Sequence, residues 1–599
     1  MERRTLLKTM AAAAAWQPIA STRLSARASS ARTIRRVRPG DAGWPSAEAW
    51  RTLKDAVRGN LIEAHSLLSA CETDANGAPC REVENNLYNP FYIGDQPGGT
   101  QVSGWLDAWT PAPSVYAVKA LNAGDVAAAV DFARTNNLRL VVKGAGHSYQ
   151  GTSNAADSLL IWTRAMNDVT LHDGFVPKGG DGKVRPVPAV SAGAGAVWID
   201  LYHAVTSEGG RFVQGGGCTD VGVAGLVQSG GFGSFSKGFG TSAASLLEAE
   251  IVTADGKVRI VNAFNDPDLF WALKGGGGGS WGVVTRLTLR THDLPEHFGV
   301  AWGKIEAHSD DAFRKLIAQF FAFYVQNLFN PHWGEQISVM PDNTLKLSMV
   351  SQGLDRQQSK EVWKPFFDWV NEQGDLSIAD AIGAGATMAR GWWDISDNSA
   401  MIPDRREGAP AYRGWWSGDQ AQVGAYLHGY DSLWLPAALL GKHKRQTLVD
   451  ALFAASRHKK VDLHFNKGLA GSSADTLAAA KNTATNPDVL NAFALAIIAD
   501  GEAPAYPGIG WDAIDLQAAH KDARAIDAAA AELRKVAPDA GSYVSESNYF
   551  NASWRRAFWG SHYARLLAIK NRYDPDGLFF VHHGVGAESW SADGFTRSI

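Results

Sequence analysis

The stretch "KGAGHSYQG", residues 143–151, sets a histidine beside a serine in a glycine-rich turn that follows a short apolar run. It approaches the Gly-x-Ser-x-Gly elbow of serine hydrolases. That elbow needs glycine two places either side of the serine, because its strained turn brings neighbouring backbone too close for side chains. Gly146 meets the requirement and Gln150 does not, so Ser148 is a poor nucleophile and His147 becomes the residue to explain. A third candidate is Cys218, in "GGGCTDVGVAGLVQSGGFGSFSKGFG" (215–240). A glycine every two or three residues is too dense for a core helix or strand, and suits a backbone laid flat against a ligand.

The elements that must position these residues are readable around them. "SVYAVKA" reads as a strand, "DVAAAVDFARTN" places Val126, Ala129, Val130 and Ala133 on one helical face, and "LRLVV" reads as a buried strand. This is a βαβ unit, and 143–151 leaves its second strand where backbone amides freed from the sheet can turn toward an anion. "AVSAGAGAVWIDLYHAVTSEGG" reads as strand, turn and amphipathic helix; its GAGA lacks the third glycine and the acidic residue of a dinucleotide fingerprint. "LLEAEIVTADGKVRIV" is a hairpin around Asp255-Gly256, and "LKGGGGGSWGVVTRLTLR" a glycine loop entering a strand. Near the C-terminus "SYVSESNYF" reads as a strand and "SWRRAFWGSHYARLLAIKNRYDP" as one helix halted at Asp574-Pro575.

A chain of 599 residues, 45% apolar and 20% charged, is globular and too long for one core. Its net charge of −4 gives no basic field for a nucleic-acid partner. The 22 tryptophans supply either large aromatic walls or simply a large core. "MERRTLLKTMAAAAAW" carries Arg3-Arg4 ahead of a weakly apolar run too short for a membrane span, with Ala26-Arg27-Ala28 as a cleavage site, which resembles a twin-arginine export signal. The expected location is periplasmic or secreted. In such a compartment Cys71 and Cys80, bracketing "CETDANGAPC", can form a disulfide. Their spacing and the absence of His-x-x-x-His or His-Glu-x-x-His give a metal site no support. Cys218 is then left over.

"VVKGAGHSYQGTS", "GGCTDVGVAGLVQSGGFG", "GGGGGSWGVVTRLTL" and "WGSHYARLLAIKNRYDPDGLFF", in that order, resemble the berberine bridge enzyme-like branch of the p-cresol methylhydroxylase (PCMH) and vanillyl-alcohol oxidase flavoproteins; the N-terminal lobe is similar to that of isoamyl alcohol oxidase-like members. The resemblance implies an α+β fold: a two-subdomain PCMH-type FAD-binding domain, an α+β substrate domain over the flavin, and a C-terminal segment that returns to the first. The expected division is a signal peptide at 1–28, an N-terminal lobe at 29–108, the FAD domain at 109–294, the substrate domain at 295–540 and the C-terminal segment at 541–599.

The resemblance also implies residue roles. His147 would be joined to the flavin 8α-methyl and Cys218 to its C6 atom, which gives the leftover cysteine a use. Amides of Gly144, Ala145, Gly146, His147 and Ser148 would face the pyrophosphate, and Gly222, Gly225, Gly230, Gly231 and Gly233 would pass close to the isoalloxazine and ribityl. Lys143, Tyr149, Ser153, Val221 and Val283 complete the expected cofactor set. Gly216 would border the oxygen-facing side of the ring, where a small residue suits an oxidase, although a glycine in a run of three also serves a turn. The expected reaction removes a proton from an alcohol, aromatic alcohol or carbohydrate hydroxyl and passes hydride to flavin N5, with dioxygen giving hydrogen peroxide. For the base, the family pattern Tyr-x-Asn-Tyr or Tyr-x-Asn-Glu meets "YVSE", where Ser545 replaces the Asn; Tyr543 is preferred over Glu546 by a small margin. The rivals are a dehydrogenase with another acceptor and a flavin-bearing binding protein without turnover.

Overall fold

The computed structural model describes residues 33–508 and 514–598; the export signal expected at 1–28 lies outside them. The βαβ unit forms as its pattern requires. Tyr116–Lys119 and Arg139–Lys143 both run parallel to Ser158–Trp162, whose five residues are all buried, as a central parallel strand must be. The crossover helix Ala123–Thr135 begins at Asn122, whose side chain accepts from the amides of Gly124 and Asp125, and it buries Val126, Ala129, Val130 and Ala133. The chain therefore leaves the sheet at Lys143 with the amides of 144–148 beyond the strand's carboxyl end, the customary ligand edge of a parallel sheet.

A second, antiparallel sheet holds the glycine-rich run from behind. Its strands lie in the order Val258–Asn262, Leu246–Val252, Val283–Arg290, Val187–Gly193, Val169–Phe175. The hairpin turns at Gly256 with φ 74°, a left-handed conformation that favours glycine. Between the strands, 215–240 contains only two short helices, Val223–Gln228 and Ser236–Phe239.

The third sheet has eight strands: Leu376–Met388, His297–Ala307, Thr344–Gln352, Trp333–Val339, Val461–His464, Ala492–Pro504, Gly424–Pro436 and Val102–Trp105. Helices Asp310–Phe323, Arg356–Glu372, Arg445–Ser456 and Leu516–Arg534 share a core with it that includes Phe313, Phe320, Trp363, Phe366, Phe453 and Leu533. A separate apolar cluster joins Trp434 of this sheet to Phe232 of the glycine-rich run and to Tyr543. Lys237 pins the two together: its buried Nζ donates to the carbonyls of Gly468, Ala470 and Phe493. The N-terminal lobe is stitched to two sheets, through Leu61–Glu63 against Tyr116–Lys119 and through Val102–Trp105 against Gly424–Pro436. Cys71 and Cys80 are disulfide-bonded within it.

Two local expectations need correction. "SYVSESNYF" forms no strand but an irregular turn, closed by the Glu546 amide donating to Tyr543 O at 2.9 Å; alternating residue types mimic a strand where no neighbouring edge exists to pair with. The C-terminal helix is two helices, Trp554–Trp559 and Tyr563–Tyr573. They part at Gly560, where φ is 52°, and a Cβ there would stand 3.1 Å from Asn486 Oδ1. The tryptophan pairs are largely core: Trp392, Trp393 and Trp415 are buried in the cluster that also holds Phe212 and Phe298.

Candidate active site

Strand Arg139–Lys143, the glycine-rich run, the glycine loop before Val283 and the C-terminal segment converge on one cavity of roughly 280 Å³. Its lining includes Lys143, Gly144, Ala145, Gly146, His147, Ser148, Tyr149 and Ser153 from the first, and Cys218, Val221, Gly222 and Gly225 from the second. Gly216, Gly230, Gly231, Gly233 and Val283 are not among the lining residues. Val283 is wholly buried in the core behind, and its neighbour Val284 meets the cavity instead. A Cβ on Gly216 would stand 2.9 Å from Leu226 Cδ1, the movable end of a side chain. Gly277, Gly278, Gly279, Gln228, Trp559, His582 and His583 also line the cavity. None of these seven carries an expected role in the sequence, although the glycines, Gln228 and Trp559 lie within its recognisable motifs.

The turn at 143–151 is built by local chemistry. Gly146 has φ 83°, and a Cβ there would meet Lys143 Cε at 2.9 Å. Lys143 Nζ is spent on the carbonyls of Gln96, Pro97 and Gly99, so it fastens the N-terminal lobe under the turn; burial pushes its pKa down to about 7. Ser148 Oγ accepts from the Thr152 amide at 3.1 Å and shares a 2.7 Å hydrogen bond with Thr152 Oγ1, the work of a turn residue rather than a nucleophile. Gln150, the residue that breaks the hydrolase elbow, donates from Nε2 to Ser547 O at 2.7 Å. It thereby ties the turn to the segment that carries Glu546.

His147 and Cys218 meet carboxylates. His147 Nε2 lies 2.7 Å from Asp220 Oδ2, which leaves Nδ1 as the ring nitrogen free of that bond. Behind them lies a small cavity lined by His147, Tyr149, Cys218, Asp220, Trp415, Asp419 and Gln422. Burial, then Asp419 and Asp220, push the Cys218 thiol well up from its ordinary value. Burial and Asp220 in turn raise Asp419 to about 6.

A second charged group involves residues from the eight-stranded sheet. Glu546 pairs with the ammonium of Lys467, and Glu335 receives a hydrogen bond from Ser234 Oγ. Glu335 stands in a strand with φ 60°, a strained conformation for a non-glycine residue and of the kind that collects at functional sites. Burial holds its carboxyl above the usual range against the pull of Ser234 and Lys467. Tyr149 stacks on Tyr430 with centroids 5.2 Å apart. Tyr543 is buried edge-on against Phe232 at 5.0 Å, and burial, with Glu546 beside it, drives its phenol strongly upward.

The FAD binding domain family matches residues 115–262 and the berberine and berberine like family residues 527–586. FAD-linked oxidoreductase malF of Malbranchea aurantiaca is 30% identical over 601 residues, covering 94% of each chain. The chain belongs to the berberine bridge enzyme-like, vanillyl-alcohol oxidase-type flavoproteins. Among solved structures, the VAO-type flavoprotein MtVAO615 of Myceliophthora thermophila C1 superposes with a TM-score of 0.77 at 26% identity, over 94% of this chain and 100% of that one. The glucooligosaccharide oxidase of Acremonium strictum shares the fold at 19% identity, with a TM-score of 0.60 over 83% and 95%.

Membership makes this protein a FAD-dependent oxidoreductase, and the cavity fits that cofactor. A Cβ on Gly225 would meet nothing within 4 Å, so the backbone there is bare toward open space. Gln150, Gln228 and His583, which line the cavity, each carry a buried polar atom without a hydrogen-bond partner among the described residues, a need that a polar ligand nearby can meet. The fold class is the α+β one expected for a PCMH-type FAD-binding domain and its second domain. Among the described residues no helix is long and apolar enough to cross a membrane.

Proposed function

We propose that this flavoenzyme is an oxidase that holds FAD by two covalent bonds, through His147 Nδ1 and Cys218 Sγ, and oxidises a hydroxyl-bearing carbon of an alcohol or carbohydrate. The observation that carries this reading is the placement of His147 and Cys218 together, on both the main cavity and the smaller one behind it, with Nε2 rather than Nδ1 committed to Asp220. Support comes from the Acremonium strictum neighbour, described as having a 6-S-cysteinyl, 8α-N1-histidyl FAD. The cofactor, when bound, takes up hydride and hands the electrons to dioxygen.

The remaining work falls to the chain. Glu546 accepts the substrate hydroxyl proton, with Lys467 as its counter-charge. This exchanges the order of the two sequence candidates, since Tyr543 sits in an apolar cluster and burial and Glu546, with no cation among the described residues to oppose them, push its phenol upward. Glu335 and Ser234 offer hydrogen bonds to further hydroxyls of the substrate, and the Tyr149–Tyr430 stack offers a flat apolar wall. We further propose export through the arginine-led N-terminus, which the Cys71–Cys80 disulfide suits.

Acid precipitation tests the tethers. Yellow colour stays with the precipitated protein, and His147→Ala or Cys218→Ala each leave one link to hold it; colour lost from the unmutated protein refutes covalent attachment. Peroxide release over a panel of alcohols and sugars tests turnover, and reoxidation in air no faster than that of free flavin assigns a different acceptor.

A further inference from the structure

The proposed thioether needs Cys218 to lose a proton that its surroundings make it keep. Burial and two carboxylates hold the thiol well above its ordinary range, with Lys467 as the opposing cation. Asp419, from the turn Ser417–Gln422, lines the same small cavity as Cys218, His147 and Asp220, and its charge acts on the thiol. Its Oδ2 is cut off from solvent and has no hydrogen-bond partner among the described residues. A carboxylate with an unpartnered, solvent-free oxygen that lines the same small cavity as a thiol is placed to accept its proton.

We propose that Asp419 is the base that takes the Cys218 proton when the chain attaches its own flavin, an inference that rests on the bicovalent reading above. The S–H proton passes to Asp419, and the sulfur electron pair forms the bond to flavin C6. The C6 hydrogen leaves as a proton and two electrons pass into the flavin ring. Dioxygen then removes two electrons and two protons as hydrogen peroxide, so thiol, flavin and dioxygen give thioether flavin and peroxide. The groups around Asp419 are Asp220, Cys218, Glu335 and His147. With a pKa of about 6, Asp419 is ionised at neutral pH, yet closer in affinity for protons to a thiol than an ordinary carboxylate is. Attachment therefore slows as pH falls through that value. Asp220, bonded to His147, serves the other tether, so replacing Asp419 separates the two links.

The test compares purified holoenzyme with its Asp419→Asn variant, mapping flavin-bearing peptides by mass. In the unmutated protein one flavin cross-links the His147 and Cys218 peptides. In Asp419→Asn the flavin stays on the His147 peptide and the cross-linked share drops by about tenfold or more. The singly linked variant is then held in air at increasing pH: cross-link that accumulates as pH rises, when the thiol ionises unaided, supports the base role. Cross-link as complete as in the unmutated protein, or a deficit indifferent to pH, overturns it. If Asp419→Asn carries no flavin, Asp419→Glu decides, a restored cross-link supporting the proposal and a missing one refuting it. Absence of any covalent flavin from the unmutated protein instead refutes the bicovalent reading itself.

Discussion

On the tether side of the site, His147 and Cys218 stand against carboxylates, Asp220 and Asp419; on the substrate side, a carboxylate, Glu546, stands against the ammonium of Lys467. The two arrangements suit opposite tasks. A histidine or thiol that must act as a nucleophile gains from a nearby anion, which orients the imidazole, supports positive charge on it and receives a proton. A carboxylate that must be ionised to accept a substrate proton gains from a cation. On the proposed reading the site carries two chemistries, one performed once on the cofactor and one repeated on substrate, each with its own charged partner.

The comparison breaks most visibly at Glu546. Replacing it with Gln keeps the shape and removes the acceptor, so kcat is expected to fall ~10²–10³-fold while the flavin stays attached, as a denatured yellow protein will show. A loss of flavin together with activity would place Glu546 on the tether side and dissolve the distinction. A smaller effect is expected at its partner. Lys467→Met removes the counter-charge but not the base, and kcat is expected to fall by about tenfold, less than for loss of the acceptor itself. Steady-state kinetics on Glu546→Gln, Lys467→Met and the double variant check the pairing, since residues that act as a unit are non-additive: once Glu546 is gone, the lysine change should add little.

The same comparison separates what could be read along the chain from what could not. The turn and cysteine of the proposed tether side stand out along the chain because backbone requirements write themselves into residue type. Gly146 must be glycine at φ 83°, Gln150 breaks the alternative motif, and an unpaired cysteine in a chain with one disulfide calls for a role. The carboxylates were not legible. Asp220 lies two places after Cys218 in a quoted motif, but its partner is 73 residues away, and Asp419 arrives from a turn in the middle of the chain. The substrate side was harder still. Lys467 follows a strand of the eight-stranded sheet, and Glu335 sits within one; neither carries a local signature, because charge pairing between sheet and C-terminal turn has no sequence period. Alternation in "SYVSESNYF" pointed to a strand, whereas the segment is held by long-range bonds such as Ser432 Oγ to Ser542 Oγ at 2.8 Å.

The smallest expected effect falls on Tyr543, which the family pattern put first. Its ring fills an apolar cluster with Phe232 and Trp434 and crosses Phe232 at an interplanar angle of 90°. Phenylalanine keeps the ring and its packing, so Tyr543→Phe is expected to lower kcat by no more than about threefold, with the lost hydroxyl costing about 1 kcal/mol of stability or less. A thermal melt and kcat on the same preparation distinguish the outcomes. If kcat instead falls ~10²-fold or more while the melt barely moves, the phenol is the base. Glu546 would then be the group that Lys467 keeps away from it, and the substrate side would owe its order to restraint of a carboxylate rather than to its use.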